Sequence, residues 1–295
     1  MILILTPSLH MNDAVGNDAR EQKISLMKLG FDCELYSQFV DEGLLEESCR
    51  YERVIELVQQ ENTLVIYHHC VLWVQGEEIL KHARCKVLMK YHNITPSEFF
   101  ENYDNLGFVA TKDGVHQTVR FIHSYPFVHY MAASSFNAKE LTELGVPPEN
   151  VSVIEPLQRL GEFETTELSL DLSRVLDNGK INVLFVGRVV PNKGHKHLIR
   201  TIRAYVDMYG PEIQLNIVGS LSMTDPRYYK ELEKEVSEAN LGSCISFIQN
   251  VNFCDLVTYY KKSDIFLLMS EHEGFCVPVL EAQISGLPIV ALIFK

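Results

Sequence analysis

Short apolar runs alternate with amphipathic stretches along almost the whole chain, and this alternation restricts the fold more than any other feature. In the first half, segments 18–29, 51–60 and 77–83 have helical periodicity. The predicted strands around them are segments 2–5, 33–36, 63–67, 86–91, 128–133 and 151–154. Strands that alternate with helices predict parallel sheets with helices packed on their faces.

The same alternation starts again in the second half. The predicted strands there are segments 181–186, 214–218, 245–248, 265–269 and 288–293, with helices that begin near residues 194, 227, 252 and 277. Residues 155–179 contain a proline, two glycines and mixed charges without a clear strand, which indicates a linker or a partly helical connection. We therefore predict an α/β protein with one domain over 1–160, a linker over 161–179 and a second domain over 180–295.

The composition supports globular domains and argues against several functions. The 295 residues are 46% hydrophobic, and a net charge of −13 disfavours broad binding to nucleic acids or anionic membranes. No apolar run approaches the ~18 residues of a membrane span, and the N-terminus lacks the features of a signal peptide. Seven widely spaced cysteines without a C-x-x-C pair favour reduced thiols. We expect a cytoplasmic protein with no transmembrane segment and no nucleic-acid partner.

The loop after the first strand of the second half carries two positive side chains. Gly187 ends the predicted strand 181–186, Arg188 and Lys193 follow it, and a helix begins near Gly194. Ligands of open α/β sheets bind beyond the carboxyl ends of the strands, and helix N-termini attract anions. Two solvated cations in a loop would be ordinary, but this position favours a pyrophosphate site.

A second loop, residues 270–282, carries two carboxylates. Glu273 follows the predicted strand 265–269, and Glu281 lies about one turn inside a helix whose first turn contains Pro278. Ionised carboxylates accept strong hydrogen bonds from hydroxyls, so one can bind a sugar and the other a nucleoside. Glu281 would also fit an exposed helix surface, but its apolar neighbours indicate a specific partner.

Together, the strand-Gly-Arg stretch with its Lys-Gly and the E-x7-E pattern resemble the retaining family-four glycosyltransferases of the GT-B fold. The resemblance implies two Rossmann-like parallel-sheet domains that face each other across a cleft. It also implies that Arg188 and Lys193 bind the diphosphate of a nucleoside-diphosphate sugar donor.

The resemblance implies roles for the second loop as well. Glu273, with the backbone of Gly274 and Phe275, would contact the donor sugar, and Glu281 would bind the ribose hydroxyls. The loop 249–252 would lie beside the base. We expect Glu273 to be one of two catalytic residues, and Gly274, Phe275 and Glu281 to bind the donor.

The first half offers His92 and Gly16. His92 directly follows the predicted strand 86–91, and Gly16 lies between the first strand and the first helix. A lone histidine is more often structural, but the resemblance places His92 against the donor sugar, where it can hydrogen-bond a hydroxyl as the second catalytic residue. In the family the loop of Gly16 closes on the donor phosphates, although many members have two adjacent glycines there.

His68 and His69 follow the predicted strand 63–67 and would lie at the same edge of the sheet. Their surroundings show no pattern of metal ligands, so we consider them only as candidate acceptor contacts. The chain has no D-x-D pair, which fits the metal-independent chemistry of this fold. We therefore expect neither a metal nor a cofactor.

The expected reaction moves a glycosyl group from the nucleotide donor to a hydroxyl of a glycan or another acceptor, with retention of configuration and α-linked products. No carboxylate is evidently placed as a covalent nucleophile, which favours a front-face displacement with the leaving phosphate stabilised by the two basic residues. Two alternatives stay open: a sugar-nucleotide epimerase of the same fold, and a non-catalytic or inactive nucleotide-sugar-binding remnant.

The sequence stops soon after the last predicted strand, 288–293, whereas the family usually continues well beyond it. This difference favours the inactive or non-catalytic remnant. From this resemblance we expect a truncated C-terminus. Leu292, Ile293 and Phe294 would then lie at a poorly covered sheet edge, and the intrinsic activity would be low.

Overall fold

The computed structural model describes residues 1–10, 13–125, 128–221 and 224–292. Its contacts divide the chain into two compact units. The first unit comprises Met1–Glu98 and Leu106–Gln158, and the second comprises Phe99–Asn105 and Arg159–Lys295. The second unit thus includes a short segment from the first half of the chain, which the sequence patterns did not predict.

A six-stranded parallel sheet forms the first unit. Its strands are β1 Ile2–Leu9, β2 Cys33–Val40, β3 Leu64–His69, β4 Lys86–Tyr91, β5 His129–Ala132 and β6 Val151–Val153, in the spatial order β2-β1-β3-β4-β5-β6. The helices are α1 Ala14–Lys28, α2 Tyr51–Val58, α3 Val74–Lys81, α4 Asn105–Ser124 and α5 Ser135–Glu143, with 3₁₀ turns at Glu42–Glu47, Ser97–Phe99 and Pro148–Asn150. Aliphatic strand residues such as Leu3 and Ile4 are fully buried on alternate faces.

The helices α4 and α5 were not predicted. In α4, Gly107 and Gly114 interrupt the apolar pattern and have low helix propensity. A Cβ at Gly114 would lie 2.8 Å from the backbone nitrogen of Leu72. The glycine is therefore required for the close packing of α4 on the loop after β3, a reason that local sequence does not reveal.

A five-stranded parallel sheet forms the second unit. Its strands are β7 Ile181–Val186, β8 Ile213–Val218, β9 Ile245–Ile248, β10 Ile265–Leu268 and β11 Ile289–Ala291, in the order β11-β10-β7-β8-β9. The helices are α6 Leu160–Thr165, α7 Leu170–Leu176, α8 His195–Tyr209, α9 Pro226–Glu238, α10 Phe253–Lys262 and α11 Val277–Ile284. With two parallel sheets and helices between the strands, the predicted α/β fold class is confirmed.

The segment 161–179, interpreted from the sequence as a linker or partly helical connection, contains most of α6 and all of α7. Phe163 is 2% exposed and Leu176 is 6% exposed, and both belong to the core of the second unit. The backbone N–H of Ser169 also donates to the hydroxyl of Thr258 in α10 at 2.9 Å. These contacts explain why the segment packs with the second unit.

Each sheet has one point at which the strand order reverses. In the first sheet the chain runs from β1 outward to β2 and then resumes at β3 on the other side of β1. In the second it runs from β7 outward to β9 and resumes at β10 on the other side of β7. Loops that leave adjacent strands in opposite directions open a crevice at the carboxyl ends, where α/β proteins bind ligands.

The strand β11 forms one edge of the second sheet and pairs with β10. Val290 is 50% exposed and Leu292 is 38% exposed. Ile293 and Phe294, which we expected at the same edge, lie outside the described residues. In the part of the chain that the structure describes, no helix combines the length and the apolar character needed to cross a membrane.

Candidate functional site

The loop between β7 and α8 carries the residues predicted to bind phosphate. It contains a 3₁₀ turn, Pro191–Lys193, and ends at Gly194, whose φ of 68° lies in the left-handed region. A Cβ at Gly194 would lie 1.8 Å from the carbonyl oxygen of Met269, which follows β10. Only glycine fits this approach, so Gly194 holds the β7 loop against the end of the neighbouring strand.

Lys193 and Glu273 form an ion pair between the two loops at the reversal point. The Nζ atom of Lys193 lies 2.7 Å from Oε1 and 2.8 Å from Oε2 of Glu273, and the side chains are 19% and 22% exposed. The backbone N–H of Glu271 donates to the carbonyl of Asn192 at 2.8 Å, and Asn192 Nδ2 donates to the carbonyl of His272 at 3.3 Å. Two predicted site residues therefore meet although 80 positions separate them.

Arg188 opens the same loop and is exposed. Within the described residues, its guanidinium has neither an ion pair nor a hydrogen bond. The backbone before it is tightly packed, since a Cβ at Gly219 would lie 1.9 Å from the carbonyl oxygen of Gly187. A fixed backbone thus carries a side chain that is free to reach toward an anion.

Glu281 lies in the second turn of α11, as predicted, and one of its oxygens is held by a buried tyrosine. The hydroxyl of Tyr260 donates to Oε2 of Glu281 at 2.7 Å. Burial raises the pKa of Glu281, whereas the hydrogen bond from Tyr260 acts in the opposite direction. Within the described residues Oε1 accepts no hydrogen bond from the protein, so it can accept one from a ligand hydroxyl.

The loop from Glu273 to α11 has an unusual backbone. Gly274 and Phe275 are half-buried, and Cys276 immediately before α11 has a φ of 70°. Positive φ costs energy in a residue with a side chain, and such residues cluster at ligand-binding sites. Pro278 stands in the first turn of α11, where its missing N–H costs no hydrogen bond.

Gly16 lies in a helix and not in a loop, which corrects the predicted start of the first helix. The helix α1 begins at Ala14 because Asp13 caps it, with Oδ2 accepting from the N–H of Gly16 at 2.9 Å. A Cβ at Gly16 would lie 3.2 Å from this oxygen and 3.4 Å from the carbonyl of Ser8. Gly16 thus packs the first turn of α1 against β1, and the cap already uses its N–H.

His92 lies in a buried polar cluster of the first unit. Its Nε2 atom is 2.9 Å from Nδ1 of His68 and 3.6 Å from Oδ2 of Asp18 in α1. The ring of His68 is fully buried and stacks on that of His92 with 5.0 Å between centroids. The Nζ atom of Lys90 lies 3.5 Å from Asp18 Oδ2 and donates to the carbonyl of Ile154 at 2.7 Å. The cluster thus joins α1 to the ends of β3 and β4.

Burial controls the protonation of this cluster. It lowers the pKa of His68 to about 3 and the pKa of His92 well below its ordinary value, and nearby Lys90 acts in the same direction. Burial also raises the pKa of Asp18 and lowers that of Lys90, although their mutual attraction opposes both shifts. Both imidazoles are therefore neutral at neutral pH.

Asp18, His68 and His92 are also arranged so that they could hold a metal ion, since one ligand atom from each lies within 4.8 Å of the others. The sequence indicated no such site, because these residues are far apart along the chain. The ammonium of Lys90, 3.5 Å from the Asp18 carboxylate, places a positive charge beside the space that a cation would take.

His69 projects from the opposite face of β3. The register pairs His68 with Lys90 and His69 with Tyr91, so the two histidines lie on different sides of the sheet. Nε2 of His69 lies 2.7 Å from the hydroxyl of Thr118 in α4, and its ring packs against Phe121. His69 is therefore a core residue in this structure, while its neighbour joins His92.

Sequence reasoning missed Asp18, Gln22 and Tyr260, which support the candidate residues. Gln22 Nε2 donates to Asp18 Oδ1 at 3.1 Å, and the backbone N–H of Leu157 donates to the same oxygen at 2.7 Å. The four-residue spacing of Asp18 and Gln22 places both on one face of a helix, and that was the one available signal. Their partners come from distant segments.

The geometry of the second unit can be compared with known proteins. Residues 172–292 match the model of the family described as glycosyl transferases group 1. The second unit carries a glycosyl transferases group 1 domain. This domain includes Arg188, Lys193, Glu273 and Glu281, so the two loops that meet at the reversal point belong to the matched region.

Curated relatives of the glycosyl transferases group 1 domain align over part of the chain. A D-inositol 3-phosphate glycosyltransferase of Geodermatophilus obscurus is 26% identical over 166 residues, covering 55% of this chain and 37% of that protein. An uncharacterized glycosyltransferase of Haemophilus influenzae is 34% identical over 113 residues, covering 37% of this chain and 29% of that protein. The chain thus spans about a third of the length of each of these two relatives.

Solved structures share the fold over nearly the whole chain. Anabaena HepE, crystallised with UDP-glucose, has a TM-score of 0.71 and 17% identity, covering 98% of this chain and 79% of that one. WaaG, a glycosyltransferase of lipopolysaccharide biosynthesis, has a TM-score of 0.67 and 14% identity, covering 99% and 80%. These neighbours are GT-B glycosyltransferases, and at such identities they establish the fold alone.

Proposed function

We propose that this chain is a retaining, metal-independent glycosyltransferase of family four that uses a nucleoside-diphosphate sugar. The observation that carries the proposal is the contact of Lys193 with Glu273 at the reversal point between β7 and β10, inside the glycosyl transferases group 1 domain. A cation for phosphate and a carboxylate for sugar hydroxyls lie together there. Support also comes from HepE, whose crystals contain UDP-glucose.

The donor diphosphate would bind between Arg188 and Lys193. The ammonium of Lys193 has three donor hydrogens, and the Glu273 carboxylate does not exhaust them. Arg188 is exposed and offers a planar fork that matches phosphate oxygens. The N-terminus of α8 lies directly behind both residues and adds favourable dipole charge.

The nucleoside and the sugar would be divided between the two carboxylates. Glu281 would accept a ribose hydroxyl at Oε1, because Tyr260 already occupies Oε2. Glu273 and the backbone of Gly274 and Phe275 would bind the sugar, and the loop 249–252 would lie beside the base. The resemblance further assigns Gly16 to the donor phosphates and His92 to the donor sugar.

The reaction would proceed on one face of the sugar. The bond between the anomeric carbon and the diphosphate oxygen breaks as the bond to the acceptor oxygen forms, and the acceptor proton passes to the leaving phosphate. Arg188 and Lys193 would stabilise the charge that develops there. Because the new bond forms on the face that the diphosphate leaves, the configuration is retained.

A transfer assay tests the proposal. The chain is incubated with UDP-, GDP- and ADP-glucose, with and without a panel of sugar acceptors, in buffer with and without EDTA. We expect release of the nucleoside diphosphate that depends on acceptor and resists EDTA, and an α-linked product by proton NMR. If the chain neither turns over nor binds any of the three donors, the proposal is rejected.

The same assay separates the alternatives. A sugar-nucleotide epimerase would convert its donor without an acceptor, and a non-catalytic protein would bind a donor without turning it over.

We also propose a cytoplasmic location, which the seven free cysteines support because disulfides are rare there.

A further inference from the structure

The polar cluster around His92 contains enough hydrogen bonds to assign the protons on its rings. The first of these hydrogen bonds determines the orientation of the Gln22 side-chain amide. Oδ1 of Asp18 accepts from the backbone N–H of Leu157 at 2.7 Å, so it acts as an acceptor. Gln22 must therefore turn its NH₂ group toward this oxygen, at 3.1 Å, and its carbonyl Oε1 points away.

The amide in turn assigns the proton of His68. Oε1 of Gln22 lies 3.4 Å from Nε2 of His68, and a carbonyl oxygen can only accept. Nε2 of His68 therefore carries the proton. Because burial keeps this imidazole neutral, its other nitrogen, Nδ1, has a lone pair.

His68 then assigns the proton of His92. Nδ1 of His68 and Nε2 of His92 are 2.9 Å apart, and one of the two must donate. Since His68 Nδ1 is the acceptor, the proton lies on Nε2 of His92, where Oδ2 of Asp18, 3.6 Å away, also favours it. Within the described residues, Nδ1 of His92 has no hydrogen-bond partner.

We propose that Asp18, Gln22 and His68 are positioning residues that hold the ring proton of His92 on Nε2, so that Nδ1 accepts a hydrogen bond from a hydroxyl of the bound sugar. The assignment of the proton stands on the hydrogen bonds and on the full burial of His68, whereas the hydroxyl partner rests on the proposed glycosyltransferase function. A sugar whose hydroxyl at this position is methylated or absent would lose the contact. His92 then selects its ligand by accepting a hydrogen bond from it, and not by charge.

A metal ion bound by Asp18, His68 and His92 is incompatible with this arrangement. An ion bound at the two nitrogens that face each other, His68 Nδ1 and His92 Nε2, would need a lone pair on each, while the hydrogen-bond chain puts a proton on the second. The two possibilities therefore predict opposite protonation of one nitrogen, and a single measurement distinguishes them.

The test is a nitrogen–proton NMR spectrum of the full chain with labelled histidine side chains, assigned with His68→Asn and His92→Gln variants. Protonated and unprotonated ring nitrogens have well-separated shifts. At neutral pH we expect His92 protonated on Nε2 and unprotonated on Nδ1, unchanged by zinc chloride or EDTA. A proton on Nδ1, or a zinc-dependent change at either ring, would overturn the proposal.

Gln22→Met removes the amide with little change in size. We expect it to mix the two His92 tautomers and to lower kcat by about tenfold or more while the KM for the donor stays within a factor of about two. His68→Asn keeps an acceptor near the position of Nδ1 and should preserve the tautomer better than His68→Leu. An unchanged His92 spectrum in folded Gln22→Met would contradict the relay, whether or not the chain transfers sugar.

Discussion

The two sheets place polar side chains at their reversal points under opposite conditions. In the second unit Lys193 and Glu273 form an ion pair between two loops, and both side chains are about one-fifth exposed. In the first unit His68 and His92 are almost fully buried and neutral, and a chain of hydrogen bonds orients them. Partly exposed charge can exchange a protein partner for an arriving anion. A buried neutral relay instead presents one fixed hydrogen-bonding atom.

The largest expected effect tests the first unit. His92→Ala should lower turnover by about 10²–10⁴-fold, the range for a group positioned at the reacting centre, and should also cost about 1–3 kcal/mol of stability because it leaves Nδ1 of the buried His68 without a donor. His69→Gln is the matched control, because His69 bonds Thr118 on the other face of the same strand. It should cost about 1 kcal/mol of stability and little turnover. A fully active His92→Ala protein would make His92 a structural residue.

The charged site of the second unit should respond through binding. Lys193→Ala should cost about 1.5–3 kcal/mol of donor affinity, measured by calorimetry, because the hydrogen bond to phosphate is charge-assisted. Arg188→Ala should behave similarly, and the two losses should not add because both residues hold one ligand.

The control for these variants is Lys234→Ala, which removes an exposed ion pair with Glu238 on α9 and should leave donor affinity unchanged. Equal donor affinity in wild type and both single variants of the site would show that the diphosphate does not bind in the β7 loop.

Substitutions of the two carboxylates of the second unit, Glu281 and Glu273, should have smaller effects that differ from each other. Glu281→Gln should weaken binding of the free nucleoside diphosphate by about 1 kcal/mol, since a ribose hydroxyl loses a charged acceptor. Glu273→Gln should lower turnover, yet bind the free diphosphate up to about fivefold more tightly, because Lys193 loses a competing partner. If the product binds equally to wild type and both variants, the ribose role of Glu281 is wrong.

The smallest expected effect is a pH dependence of folding stability that arises from Glu140, the partner of Asn93 beside His92. Asn93 has a φ of 73°, and its Nδ2 donates to Glu140, whose pKa burial raises to about 7. Between pH ~4.5 and ~7 the folded state holds a proton that the unfolded state has lost, so stability falls as pH rises through this window. Glu140→Gln should flatten this dependence in urea unfolding at several pH values. An unchanged slope in the variant would assign it to other groups.

The strands of both sheets were predictable because each is a short apolar run bounded by polar residues. All eleven predicted strands are present, and β3 continues through His68 and His69, which the prediction placed after it. The ion pair of Lys193 with Glu273 was not predicted. Their positions after strands place both residues at one edge of a parallel sheet, but their contact depends on β7 and β10 being adjacent, which only the strand order shows.

Other features could not be predicted because they depend on long-range packing. The segment Phe99–Asn105 joins the second unit through Tyr103, whose hydroxyl donates to Glu231 at 2.9 Å, 128 positions away. The proton relay joins Gln22 to His68 across 46 positions and requires α1 to pack on β3. No local pattern encodes such pairs.

The most direct test of the donor site is a map of nucleotide binding by NMR. Backbone amide resonances of the full chain are followed as UDP, GDP and ADP are added in turn. For at least one nucleotide, we predict shifts concentrated in residues 187–195 and 271–281, with Lys234 and Glu238 on α9 unaffected. Saturable binding that shifts other residues and leaves both loops unchanged would contradict the account.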